Sequence, residues 1–585
     1  MRMMRLAALA AALGCLLSAS TAWAQTAVGD WKGTLLAGPA TSFHLGVHIK
    51  KTDAGLAGTL DDVTRAAAGL PLSDVALAGD TLSFKVAIAS APATYTAKWD
   101  AASGAWVGAW TQSGASLPLT LAPGRQPPLP TVAGLDGLWD GAMTISNHPF
   151  HLILHVKTGA LGTAAWLDSV DQMAYGLDVD ALKRDGDAVG FQLGSLKAAF
   201  TGKLAADGQS IVGQYAQGAS NLPLTLTRRA PGAQPAGMRR PQTPVKPYPY
   251  REEDVAFENR DVTAVDNGSP SVKLAGTLTL PQGAGPFPAV VLIAGSGPNT
   301  RNEPLVGHQV FLVLSDYLTR HGIAVLRYDK RGTGASGGDY GKATTLDFAG
   351  DAEAAAAYLR GRKEIDPARV GLVGHSEGGL IAPMVAVKDP KIAFIVMMAG
   401  PGVDGVDILM EQGRLIAKAM GLTHDQVEKG SALRKQMFDT VEGEKDAQVA
   451  AAKLKAVADA WAKANDVSPQ AVELQVNLVN SDWFRFFFHY DPAVTLRQVR
   501  CPVLALIGSK DLQVPTDQNL PAIRAALAHD PDADVEELPN LNHLFQTAKT
   551  GSPGEYAQIE ETIAPLALET ITGWILKHDG QAKPT

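Results

Sequence analysis

Two serines sit in the pattern Gly-x-Ser-x-Gly: Ser376 in Gly374-His375-Ser376-Glu377-Gly378, and Ser336 in Gly334-Ala335-Ser336-Gly337-Gly338. Small residues on both sides of a serine permit a sharp strand-to-helix turn, which presents the hydroxyl for attack on an acyl carbon. The chain has 59 glycines, so the pattern arises easily by chance and the flanking sequence must decide. Ser376 follows the apolar run RVGLVG (369–374) and is followed by GGLIAPMVAV, whose apolar spacing is helical. Ser336 follows a glycine-rich turn, and the next helical pattern starts only near Thr345. DKRGTGASGG therefore reads as a tight loop braced by Asp329 and Arg331, and it lacks the Gly-Lys-Ser/Thr ending of a phosphate cradle. Ser376 is the candidate nucleophile.

A serine hydroxyl needs a base, and the base needs an orienting carboxylate. Behind a strand–turn–helix elbow they follow in the order Asp or Glu, then His. Asp511 closes the apolar run PVLALIGSKD (502–511), and His543 lies in LPNLNHLF, after the strand-like ADVEEL (533–538). Both are loop positions at strand ends, where sites gather in open α/β sheets. His489, His529, His578, Asp482 and Asp491 are rivals by residue type, but they fall in a helical insertion, a helix end or the C-terminal tail. The expected triad is Ser376, His543 as base and Asp511 as its orienting partner. An oxyanion hole requires backbone donors aimed at the developing charge. The amide of Glu377 supplies one, and that of Ser296 in Gly295-Ser296-Gly297-Pro298 the other, with Gly297 as the alternative.

These residues need a scaffold. The runs 287–295, 323–329, 369–374, 391–400 and 502–511 are short and almost continuously apolar, as strands buried on both faces are, and helical patterns separate them. A mainly parallel α/β sheet follows. The interval 404–500 is too long for a simple connection and reads as a helical cap. It ends in SDWFRFFFHYDP, where Trp483, Phe484, Phe486, Phe487, Phe488 and Tyr490 either line an acyl pocket or pack the cap onto the sheet.

In chain order, Gly-Ser-Gly-Pro, Asp-Lys-Arg-Gly-Thr-Gly-x-Ser, Gly-His-Ser-Glu-Gly-Gly, Gly-Ser-Lys-Asp and Asn-His-Leu-Phe resemble the α/β-hydrolase superfamily. More narrowly, they are similar to its bacterial exported esterase-like branch, near the serine aminopeptidase and acyl-hydrolase group. The likeness spans about 256–578. It implies an eight-stranded sheet, a Ser-His-Asp triad and a cap over the pocket. Ala294 departs from the pattern, standing where many relatives carry histidine before the glycines.

The first third of the chain repeats itself. FHLGVHIK (43–50) returns as FHLILHVK (150–157), VGAWTQSGASLPLTL (from 107) as VGQYAQGASNLPLTL (from 212), and GDWKGTL (from 29) as GLWDGAM (from 137). Alternating apolar residues predict an antiparallel sandwich or barrel in each all-β unit, 28–123 and 134–229. His44 and His48, repeated as His151 and His155, form a polar row on one strand face. They lack the nearby Cys or carboxylate that would complete a metal set, so no metal or other cofactor is expected. A proline-rich linker, 230–251, leads to the hydrolase-like domain, 252–580.

Residues 1–24 read as a signal peptide: Arg2 and Arg5, an apolar run over 6–17, and Ala22-Trp23-Ala24 before Gln25. Cys15 offers only a loose lipoprotein box, so export to the periplasm or medium without a lipid anchor is expected. Only Cys501 then remains. A formal net charge of −8 argues against nucleic acid and anionic membranes as partners. The expected function is hydrolysis of a small carboxylic ester through an acyl-serine. The alternatives are a peptidase or aminopeptidase using the same triad, or an envelope- or glycan-binding protein whose β-units grip the ligand.

Overall fold

The computed structural model describes residues 27–578 except 39, 89–91, 113–114, 146–147, 171–173, 219, 231–238, 261–270 and 466–468. The expected signal peptide, 1–24, lies outside the described residues, as does part of the expected linker, 230–251.

In the first β-unit, eight strands from Gly29–Gly38 to Ala115–Pro123 close into an antiparallel barrel. Leu45, Val47 and Ile49 point inward and are buried among Trp31, Tyr95 and Trp106. On the outer row, carboxylates do stand beside the histidines, contrary to the sequence expectation, because strand pairing brings them there: His48 spends both ring nitrogens on them, Nδ1 on Asp30 at 2.6 Å and Nε2 on Asp61 at 3.0 Å.

The second unit repeats this order but does not close. In the barrel one long strand, Ala67–Ala78, pairs with a neighbour on each side. Its counterpart is two pieces, Ala174–Asp178 and Lys183–Asp185, at opposite edges of a nine-stranded sheet. Hydrogen bonds near the break run elsewhere: Asp178 accepts from the Ser42 amide and hydroxyl of the barrel, and Asp180 from the Gly194 amide.

The C-terminal sheet has eight strands: β1 Arg251–Asn259, β2 Val272–Leu280, β3 Phe287–Ile293, β4 Ala324–Tyr328, β5 Ile365–His375, β6 Ile395–Met398, β7 Val503–Gly508 and β8 Ala533–Leu538. Their order is β1-β2-β4-β3-β5-β6-β7-β8, parallel from β4 onward and antiparallel at β1 and β2. β3 to β7 coincide with the apolar runs because apolar clusters cover both faces of the sheet. β1 lies at the edge with several exposed polar side chains, so REEDVAFEN carries no such signal. Helices run through Gly405 to Leu496 between β6 and β7. No helix among the described residues is long and apolar enough to cross a membrane.

The aromatic run sits on the helix Asp482–His489, and none of its rings lines the cavity described below. Phe487 and Phe488 are buried in the domain core, Phe487 stacks on Trp483 at 5.0 Å, and Phe488 meets Phe438 at 4.7 Å. Cap packing, rather than an acyl pocket, is the role this geometry gives them. Phe487→Ala is therefore expected to cost about 3–5 kcal/mol of stability by opening a void, read as a lower thermal midpoint, with chain-length preference unchanged.

Candidate active site

Ser376 stands between β5 and the helix Glu377–Lys388. Its backbone is left-handed, φ 54° and ψ −115°, a strained turn that lifts the side chain off the sheet edge. The flanking glycines are obligatory: a Cβ on Gly374 would lie 1.9 Å from the Gly378 carbonyl oxygen, and one on Gly378 would lie 2.0 Å from that of Ile293. The Ser376 amide donates to the Met398 carbonyl at 2.8 Å, fixing the turn against β6.

His543 Nδ1 donates to Asp511 Oδ2 at 2.8 Å, and both residues are buried. Asp511 Oδ1 accepts the amides of Gln513 and Val514, each at 2.8 Å, so the carboxylate is locked in direction. Ser376, His543 and Ser296 line one cavity of about 830 Å³. The Glu377 amide lies in the first helical turn, where N–H groups have no intrahelical acceptor. Gly297, the alternative donor, is not among the residues that line this cavity. His489, His529 and His578 do not border the cavity and bond to backbone carbonyls of Arg485, Val499 and Trp574. Ser336 donates to the Asp329 carbonyl at 2.7 Å and accepts the Ala275 amide at 2.9 Å, which makes it a loop brace.

Three further residues hold the site in place, and sequence reasoning missed them. Glu303 Oε1 accepts from the Gly295 amide at 2.7 Å and from His375 Nδ1 at 3.0 Å, while His375 Nε2 donates to the His543 carbonyl at 2.9 Å. Two acceptors require two donors, so His375 carries both protons. Burial presses it toward neutrality, but the Glu303 carboxylate outweighs this and the net shift is upward. Lys330 Nζ donates to Glu377 Oε2 at 2.8 Å and to the Gly295 carbonyl at 2.7 Å, all buried. Glu377 Oε1 accepts from Thr345 at 2.8 Å and from Trp483 Nε1 at 2.6 Å, so the residue after Ser376 also anchors the cap. Only a map of neighbours in space pairs these residues. The nearest sequence signal is the position of His375 and Lys330 inside the Gly-His-Ser-Glu and Asp-Lys-Arg-Gly motifs; Glu303 lies in neither.

One wall of the cavity is pinned by His308, which is fully buried. It bonds to the Tyr556 carbonyl through Nε2 and to the Thr562 hydroxyl through Nδ1, each at 2.9 Å. Burial pushes its imidazole down to about 4, from 6.5 in an exposed chain. Between those values the unfolded chain binds a proton that the folded chain refuses. Stability is thus present above about pH 6.5 and lost as pH falls toward 4, by up to about 3 kcal/mol. Urea midpoints are expected to drop between pH 7 and pH 4.5 more steeply for the wild type than for His308→Gln.

A family profile described as X-Pro dipeptidyl-peptidase (S15 family) matches residues 267–530. Esterase EstD of Thermotoga maritima is 27% identical over 323 residues, spanning 55% of this chain and 68% of that protein. An uncharacterized protein of Mycobacterium tuberculosis is 37% identical over 75 residues, which are 13% of this chain and 26% of its own. A solved esterase from Pyrococcus furiosus covers 58% of this chain and 97% of its own at 17% identity, with a TM-score of 0.35, too low to bear on function. The family match and the Thermotoga relative agree with the strand order and the elbow: the chain is a member of the α/β-hydrolase superfamily.

Proposed function

We propose that the protein is an exported serine hydrolase that cleaves carboxylic esters through an acyl-serine. The observation that carries this reading is the buried Asp511–His543 pair at 2.8 Å on a cavity that the strained Ser376 also borders. His543 Nε2 takes the Ser376 proton as Oγ attacks the ester carbon. Asp511 keeps the proton on Nδ1 and stabilises the imidazolium. The amides of Glu377 and Ser296 stabilise the tetrahedral oxyanion. The imidazolium then protonates the leaving alkoxide. Water, deprotonated by His543, attacks the acyl-serine and releases the carboxylate with Ser376 restored.

One feature favours a second reading, an aminoacyl substrate. Glu303 is 6% exposed and borders the cavity, and its Oε2 has no partner among the described residues, as a site for a substrate ammonium would. The test is a panel of nitrophenyl esters against aminoacyl anilides. The ester reading expects kcat/KM at least a hundredfold higher on the esters, and faster cleavage of the anilides would replace it with the peptidase. Export is tested by fractionating the host cell, with a mature N-terminus at Gln25 expected.

A further inference from the structure

The cavity around Ser376 is not built by the hydrolase domain alone. Phe150 of the second β-unit also borders it, half-buried, and packs against its own unit's core. It stands on the strand His148–Gly159, which belongs to the repeat and to no part of the α/β sheet.

The contact is anchored on both sides. Ile153 and Val170 of the same unit are buried with Ala557 of the hydrolase domain, and Leu138 and Val306 pack around them. Arg240, between the two domains, donates to the carbonyls of Val306 at 2.8 Å and Ala557 at 3.0 Å, and Gln242 donates to that of Ile563 at 2.7 Å. Val306 and Ala557 adjoin Leu305 and Tyr556, which line the cavity. The β-unit is therefore seated on the two loops that shape this wall.

Apolar side chains of the cap complete the lining. Ile416 comes from the last turn of the helix Gly405–Ala419, and Met420 and Leu422 from the turn between it and the helix His424–Gly443. Met420 is 58% exposed and Leu422 39% exposed, which leaves apolar surface at the cavity that a ligand could cover. The catalytic candidates that border the same cavity are polar.

We infer that the acyl chain of the substrate lies against Phe150 and the cap turn Ile416–Leu422, so that the second β-unit sets the chain-length preference of the hydrolase domain. This rests on the acyl-serine reading above. Each methylene buried there raises kcat/KM about fourfold, provided the gain is kept in the transition state.

The test uses the full chain and nitrophenyl esters from acetate to decanoate. The wild type is expected to gain kcat/KM with chain length up to about octanoate. Phe150→Ala is expected to flatten that rise, with the loss on octanoate at least tenfold larger than the loss on acetate. Met420→Ala, at an exposed position that folding does not depend on, is expected to do the same. Ile153→Ala, which loosens the seat that holds Phe150 at the cavity, is expected to lower the thermal midpoint and to reduce octanoate turnover more than acetate turnover. Parallel losses in Phe150→Ala and Met420→Ala, or profiles that superimpose on the wild type, would overturn the assignment and leave the esterase standing. A wild type that labels at Ser376 but cleaves no ester would remove the esterase, and this inference with it.

Discussion

Ser376→Ala is expected to lower ester turnover by a factor of roughly 10⁶, the scale at which a serine protease loses rate when its nucleophile is removed. His543→Ala is expected to lose a similar factor, and the double variant little more than either alone, because nucleophile and base act as one unit. Non-additivity follows from the proposed mechanism, in which the Asp511-bound imidazole acts on the hydroxyl of Ser376 and on the acyl-serine it forms. Thermal midpoints of Ser376→Ala are expected to match the wild type, since alanine keeps a Cβ on the same left-handed backbone and leaves its strain unchanged. Ser336→Ala should behave in the opposite way. It removes a donor to the Asp329 carbonyl and an acceptor for the Ala275 amide, so stability falls by about 1–3 kcal/mol and turnover is retained. Equal rates for Ser376→Ala and the wild type would end the proposal.

A large effect on stability, together with a loss of turnover, is expected at Lys330. Lys330→Met leaves the Glu377 carboxylate buried without its cation and the Gly295 carbonyl with only the Asn299 side chain as donor. Breaking a buried pair on one side costs about 3–5 kcal/mol, which lowers the thermal midpoint by roughly 10 °C. Turnover should fall as well, because the same ammonium ties the Gly295–Ser296 turn to Glu377, the residue that follows Ser376. Removing both charges in Lys330→Met with Glu377→Gln is expected to recover part of the loss. A double variant no more stable than Lys330→Met would show that the pair does not act as a unit.

How much of this was legible depends on where each residue finds its partners. Strands β3 to β7 announce themselves because burial on two faces leaves an apolar run, whereas Glu252, Glu253 and Asp254 hide β1 in charge. Ser376, Asp511 and His543 sit at strand ends and in turns, places that local pattern can find. Glu303, His375 and Lys330 bind to one another's neighbours across loops distant in sequence, and no periodicity encodes that. The aromatic run after Ser481 was visible as a cluster, but its direction was not, and Trp483 bonding to Glu377 shows it tying the cap to the elbow. The repeats were evident as β-units. That one closes and the other opens depends on a single strand, with Asp178 and Asp180 bonded away from the ladder near its break. Phe150 as part of a pocket wall was beyond any reading of the repeat by itself.

The most direct test of the central claim is to label the intact protein with a fluorophosphonate and locate the adduct by peptide mass spectrometry. A single phosphonylated site at Ser376, with labelling slowed in His543→Ala, is the expected result. An adduct on the peptide holding Ser336, or none on a folded protein, would contradict it.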